Sequence, residues 1–195
     1  MMKRSLLPLL TIALTGFICS SSPKPVLADN YEAPGNLQST APLGCVPLAN
    51  VTNRYTPADI YPGVAKCITI GDYDRAAALF ALAGVYGDFD MQRVSDATAL
   101  DALQVLRLND FGNLPKEKYE AFQKAVPAYA QQDSRKHAAL CLSIKRIGSP
   151  KYFPTYMVQH GMKAFLGGEG NGLKANFDAK TAWQQALSRY LECRY

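Results

Sequence analysis

His137 and His160 are the only imidazoles in the chain, so acid–base chemistry near neutral pH would have to run through one of them. His160 lies in the run Tyr152-Phe153-Pro154-Thr155-Tyr156-Met157-Val158-Gln159-His160. Tyr156 and His160 are four apart, which puts them on one face of a helix. There His160 would serve as acid or base, with Tyr156 and a carboxylate such as Asp90, in a small hydrolase. The competing reading is an aromatic ledge in which His160 is satisfied by a hydrogen bond. His137 stands among charged residues at a helix start and reads as solvated. A Ser–His–Asp hydrolase would be marked by a Gly-x-Ser-x-Gly elbow, which the chain lacks.

Other candidate chemistry is thinner. Asp72-x-Asp74 and Asp88-x-Asp90 begin like calcium loops, but neither continues to the further oxygen ligands and closing Glu that an EF-hand needs. Asp72 and Asp74 fit a helix N-terminus, where negative charge is favoured. Gly167 to Gly172 follows no strand pattern and has no Gly-Lys-Ser/Thr ending, so it reads as a loop or hinge and not a phosphate cradle. Beyond the candidates His160 and Tyr156, no catalytic residue is assigned. No cofactor is expected. No metal site is expected either, because the cysteines form no close C-x-x-C pair.

The compartment is written at the N-terminus. Lys3 and Arg4 precede an apolar stretch from Ser5 to Ile18, and Val26-Leu27-Ala28 offers a cleavage site. This is the layout of a secretory signal, cleaved after Ala28. The apolar run is about 14 residues, short of the about 20 that cross a bilayer. Acylation at Cys19 is the less favoured alternative, because bulky Phe17 and Ile18 precede it. Loss of Lys3, Arg4 and Lys24 reduces 21 basic residues to 18 against 16 acidic, so the net charge falls from +5 to +2. Such a domain has no electrostatic footprint for nucleic acid, and the mature chain is not expected to insert in a membrane. It is expected in the periplasm or outside the cell.

Four cysteines remain: Cys45, Cys67, Cys141 and Cys193. An even count in an exported chain points to two disulfides. Spacing leaves three pairings open. The expected one is Cys45–Cys67 with Cys141–Cys193, since each bridge then ties a loop or terminus to a helix.

Residues 29–54 are rich in Pro, Asn, Ser, Thr and Gly and read as an extended arm or loop. Residues 55–195 read as one all-α domain, a compact bundle of about six to seven helices. Thr56, Pro57 and Asp59 supply an N-cap, a first helical position and a capping box for a helix to about Ile70. Helices are then expected at about 73–86, 91–108, 115–130, 134–146, 154–166 and 179–192. Gly87-Asp88-Phe89-Asp90 is read as a break, and Pro127 as a kink. Ala138, Cys141, Leu142 and Lys145 are read as the inner side of the fifth helix.

Gly71-Asp72-Tyr73-Asp74-Arg75-Ala76, followed by Phe80 and Ala83, resembles the second helix of a tetratricopeptide repeat. Leu82-Ala83-Gly84-Val85-Tyr86 resembles Sel1-type repeats. The likeness covers a single unit, about residues 57–87. Stepping forward by the repeat length meets Asp110, Leu114 and Glu117, which do not repeat the pattern. Such hairpins imply close helix docking and protein binding. The expected function is therefore a periplasmic interaction module with a protein partner, in one version an immunity-type inhibitor of a periplasmic toxin. A hydrolase using His160 and a structural envelope protein are the alternatives. Tyr86, Tyr152, Tyr156 and His160 are the expected binding residues, the aromatics acting as interface anchors.

Overall fold

The computed structural model describes residues 33–132, 134–167 and 169–194. The expected signal segment with Cys19 and its expected cleavage site, and the first residues of the arm, lie outside the described residues. Among the described residues there is no strand: the elements are helices, with one isolated bridge between Val94 and Leu173. The fold is all-α, as the periodicity predicts.

Helix α1 (Pro57–Ile70) starts as expected. Thr56 accepts from the Asp59 N–H, and Asp59 reaches back to the Thr56 N–H, so two otherwise unpaired donors are satisfied. Gly71 closes it in the left-handed conformation (φ 84°), where a Cβ would be strained. Helix α2 (Tyr73–Arg93) follows at once, capped by Asp72. The α1–α2 hairpin is the most extensive helix pair in the fold, and Tyr61 of α1 meets Phe80 of α2 at its centre.

The expected break at Gly87–Asp90 does not occur: α2 runs unbroken to Arg93. One glycine costs a helix only about 1 kcal/mol. Tertiary packing outweighs that cost, because Gly87 lies under the Leu103 side chain and Phe89 and Asp90 are buried. The break falls later. A 3-10 turn at Ala97–Ala99 leads into α3 (Ala102–Phe111), replacing the expected helix over 91–108. Helices α4 (Lys116–Ala125) and α5 (Pro127–Ala130) meet at the proline bend. Phe111, Tyr119 and Phe122 join Tyr61 and Phe80 in one aromatic cluster under α3 and α4.

Helix α6 (Arg135–Ile147) turns a different face inward from the one expected. His137, Leu140, Cys141 and Ile144 are buried, whereas Ala138 and Leu142 are exposed. The 3.6-residue period is right, but its phase is set by what α6 packs on. His137 is accordingly not solvated: its Nε2 lies 2.6 Å from the Leu191 carbonyl oxygen. The expected helix over 154–166 is split into α7 (Thr155–Val158) and α8 (Met162–Leu166). Helix α9 (Ala179–Tyr190), capped by Asp178, packs along α2, where the Tyr190 ring rests on Gly84.

Both expected disulfides are present, Cys45–Cys67 and Cys141–Cys193. Residues 33–56 hold one 3-10 turn (Leu48–Asn50) and lie against α1. The buried Asp59 carboxylate holds them there, accepting from the Ser39 hydroxyl and the Thr40 and Ala41 N–H groups at 2.8–2.9 Å. Burial alone would raise the Asp59 pKa, but the hydrogen bonds from Ala41, Thr56 and Ser39 outweigh it and hold the carboxyl below its ordinary range.

Candidate functional site

The run singled out by sequence, Tyr152 to His160, folds over a buried ionic hub. The hub is Asp90, fully buried near the end of α2. Its Oδ2 accepts the Tyr156 hydroxyl at 2.7 Å and the Tyr152 hydroxyl at 2.9 Å. Its Oδ1 accepts Arg93 Nε at 2.8 Å, with Nη2 at 2.6 Å. The guanidinium also lies 5.1 Å from the centres of the Phe89 and Tyr152 rings. Burial pushes the Asp90 carboxyl above its ordinary range, while Arg93 and the two tyrosines pull it back toward the charged form. Tyr152 and Tyr156 are pushed well up, first by burial and then by the Asp90 charge, so both remain hydroxyl donors.

Asp96 builds the layer above. It caps the 3-10 turn, its Oδ1 accepting from the Thr98 N–H and hydroxyl at 3.0 and 2.7 Å. Its Oδ2 accepts the Lys163 N–H at 2.8 Å, and Thr98 Oγ1 accepts the Met162 N–H at 2.8 Å. The first N–H groups of α8 are thus satisfied from a distant loop. That explains why the helix restarts at Met162 instead of continuing from α7. Gly161 is needed at this junction because a Cβ there would collide with the Asp96 carboxylate. The Lys163 N–H, and after it Thr98, hold the Asp96 carboxyl below its ordinary range against the opposing effect of burial.

A groove of about 360 Å³ opens beside the Asp96 layer. Val94, Asp96, Phe153, Val158, Lys163 and Gly170 are among its walls. The bridge at Val94–Leu173, with Ser95 N–H donating to Gly172 O at 2.9 Å, fastens the glycine loop along one side. Met162, Phe165 and Leu166 fall on one face of α8, and Phe153 lines the groove. These four are 53, 54, 77 and 45% exposed. No family model, curated protein or solved structure matches the chain.

Four expected site residues are redistributed. Tyr86 and Tyr156 are fully buried, and Tyr152 points its hydroxyl into the Asp90 hub. The expectation that these tyrosines anchor a partner is corrected: they are donors in the interior, Tyr86 to the Gly148 carbonyl at 3.0 Å. The His160–Tyr156–Asp90 arrangement is not assembled either. Tyr156 and Asp90 bond to each other, while His160 contacts Asn36 Oδ1 through Nδ1 at 2.8 Å and Asp101 Oδ1 through Nε2 at 3.1 Å. Both ring nitrogens are engaged in tying residue 36 to the start of α3. The acid pairs are also accounted for. Asp74 pairs with Lys136, and Asp88 accepts from Gln92 and Arg189.

The features that sequence reading missed are Asp96 and the α8 face. Asp96 followed by Thr98 is a short capping signal. The i, i+3, i+4 spacing of Met162, Phe165 and Leu166 is legible, but it reads as a core stripe in an unbroken helix.

Proposed function

We propose that this chain is an exported interaction module that holds a protein partner through the α8 face and the groove beside it. One concrete form is an immunity-type inhibitor that covers a toxin delivered to the periplasm. The observation that carries the reading is the exposure of Met162, Phe165 and Leu166 together on one face of α8, a helix whose start is pinned by Asp96 and Thr98, with half-exposed Phe153 in the wall of the adjoining groove. Large apolar side chains gathered at one place mark a protein contact more than chance exposure does. A pinned helix also presents them with little ordering cost on binding.

Two disulfides and a secretory-type N-terminal sequence support an oxidising destination. Among the described residues, no helix is long and apolar enough to cross a membrane. The complementary partner surface would offer an apolar side chain to fill the groove and a polar rim to meet Lys163.

The test is crosslinking capture from an envelope extract, comparing the natural chain with a Phe165→Glu/Leu166→Glu variant. A band specific to the natural chain and lost in the folded variant is the expected result. Equal capture by both chains would remove α8 from the binding surface.

A further inference from the structure

On α6, His137 and Cys141 are four residues apart and therefore share a face. The chain after α9 returns across that face and brings Cys193 to Cys141. The Cys141 sulfur lies 3.7 Å from His137 Nε2, and the His137, Cys141 and Cys193 donor atoms all fall within 4.8 Å of one another. Beside them is an open groove of about 300 Å³, with His137, Cys141, Lys145, Glu192 and Arg194 in its wall. The other disulfide has no imidazole in its company: Arg75 Nη1 lies 3.6 Å from the Cys45 sulfur.

A tetrahedral zinc site has Zn–S of about 2.3 Å and Zn–N of about 2.0 Å. Its edges are then about 3.5 Å from sulfur to nitrogen and about 3.8 Å between sulfurs. The first separation is already present between Cys141 and His137. The second is about what two unbonded sulfurs take up once a disulfide opens.

We propose that, in the reduced chain, His137, Cys141 and Cys193 form a site for a thiophilic divalent cation of the zinc class, with water as fourth ligand. A dithiol reductant supplies two electrons and two protons to the disulfide and leaves as its own disulfide. The cation then displaces both thiol protons and binds two thiolates. The imidazole binds through Nε2 as its Nδ1–H tautomer, giving up its contact with the Leu191 carbonyl, with no net change in ring protons. The disulfide and the metal site are thus alternative states of one locus.

The test uses the full chain reduced with a dithiol, desalted without oxygen and titrated with Co(II). One cobalt per chain is expected, with thiolate charge-transfer absorption and the intense visible bands of four-coordinate cobalt. His137→Ala should weaken binding by at least about tenfold. Cys45→Ser/Cys67→Ser should keep the spectrum, and Cys141→Ser/Cys193→Ser should abolish it. If reduction unfolds the chain, cobalt should restore its helical circular dichroism, because ligation drives folding at such sites. Absence of stoichiometric cobalt, or unchanged affinity in His137→Ala, would overturn the site.

Discussion

The Tyr156 hydroxyl donates to the buried Asp90 carboxylate at 2.7 Å, joining α7 to the end of α2 across 66 residues of sequence. With Tyr152 and Arg93 it completes a buried polar cluster. Tyr156→Phe removes one hydrogen bond to a charged acceptor and should cost about 1.5–3 kcal/mol. Asp90→Ala also leaves the Arg93 guanidinium buried without its partner, which should cost about 3–5 kcal/mol. Urea unfolding of both variants checks the ranking. If Tyr156→Phe is as stable as the natural chain, the hub is not what fixes α7.

Asp96 fastens α8 through backbone N–H groups, so its removal should act locally. Asp96→Ala is expected to cost about 1 kcal/mol, in the range of a lost helix cap. Amide exchange at Met162 and Lys163 should rise more than exchange in α2. The pH dependence has a definite sign. The Asp96 carboxyl is held below its ordinary range in the folded chain, so it adds stability above the unfolded pKa of about 3.9. That stability disappears as pH falls through the lower folded value. Asp59 acts in the same direction for residues 39–41. Acid titration followed by exchange mass spectrometry should show α8 and residues 39–41 loosening together below about pH 4. Loss of α2 before either of them would contradict this assignment.

Asp110 has the opposite sign. Burial pushes its carboxyl up to about 6, so the folded chain holds this proton more tightly than the unfolded chain does. Its contribution to stability therefore falls as pH rises from about 4 to about 6. Asp110→Asn should stabilise the chain at pH 7 by about 1 kcal/mol, given the half-exposed position. At pH 4 the substitution should be nearly neutral. Thermal melts at the two pH values decide the matter, and equal effects at both would refute it.

Local signals carried much of the helical architecture. Thr56 with Asp59, and the capping residues Ser134 and Asp178, mark helix starts through side-chain bonds only three residues long, so neighbouring sequence suffices to place them. The cysteine pairing was open on spacing and is settled by which sulfurs the packed chain brings together.

Tertiary structure decided the candidate site. The continuation of α2 through Gly87, the inward phase of α6 and the split at Gly161 each depend on a residue far away in sequence: Leu103, Leu191 and Asp96. The same holds for the tyrosines. A tyrosine at helical spacing looks alike whether its hydroxyl meets water or a buried carboxylate, and only the fold brings Asp90 to Tyr156. Local capping and periodicity mark where most helices start. Which face turns inward, and which apolar residues are left at the surface, depends on contacts between elements that no sequence window contains.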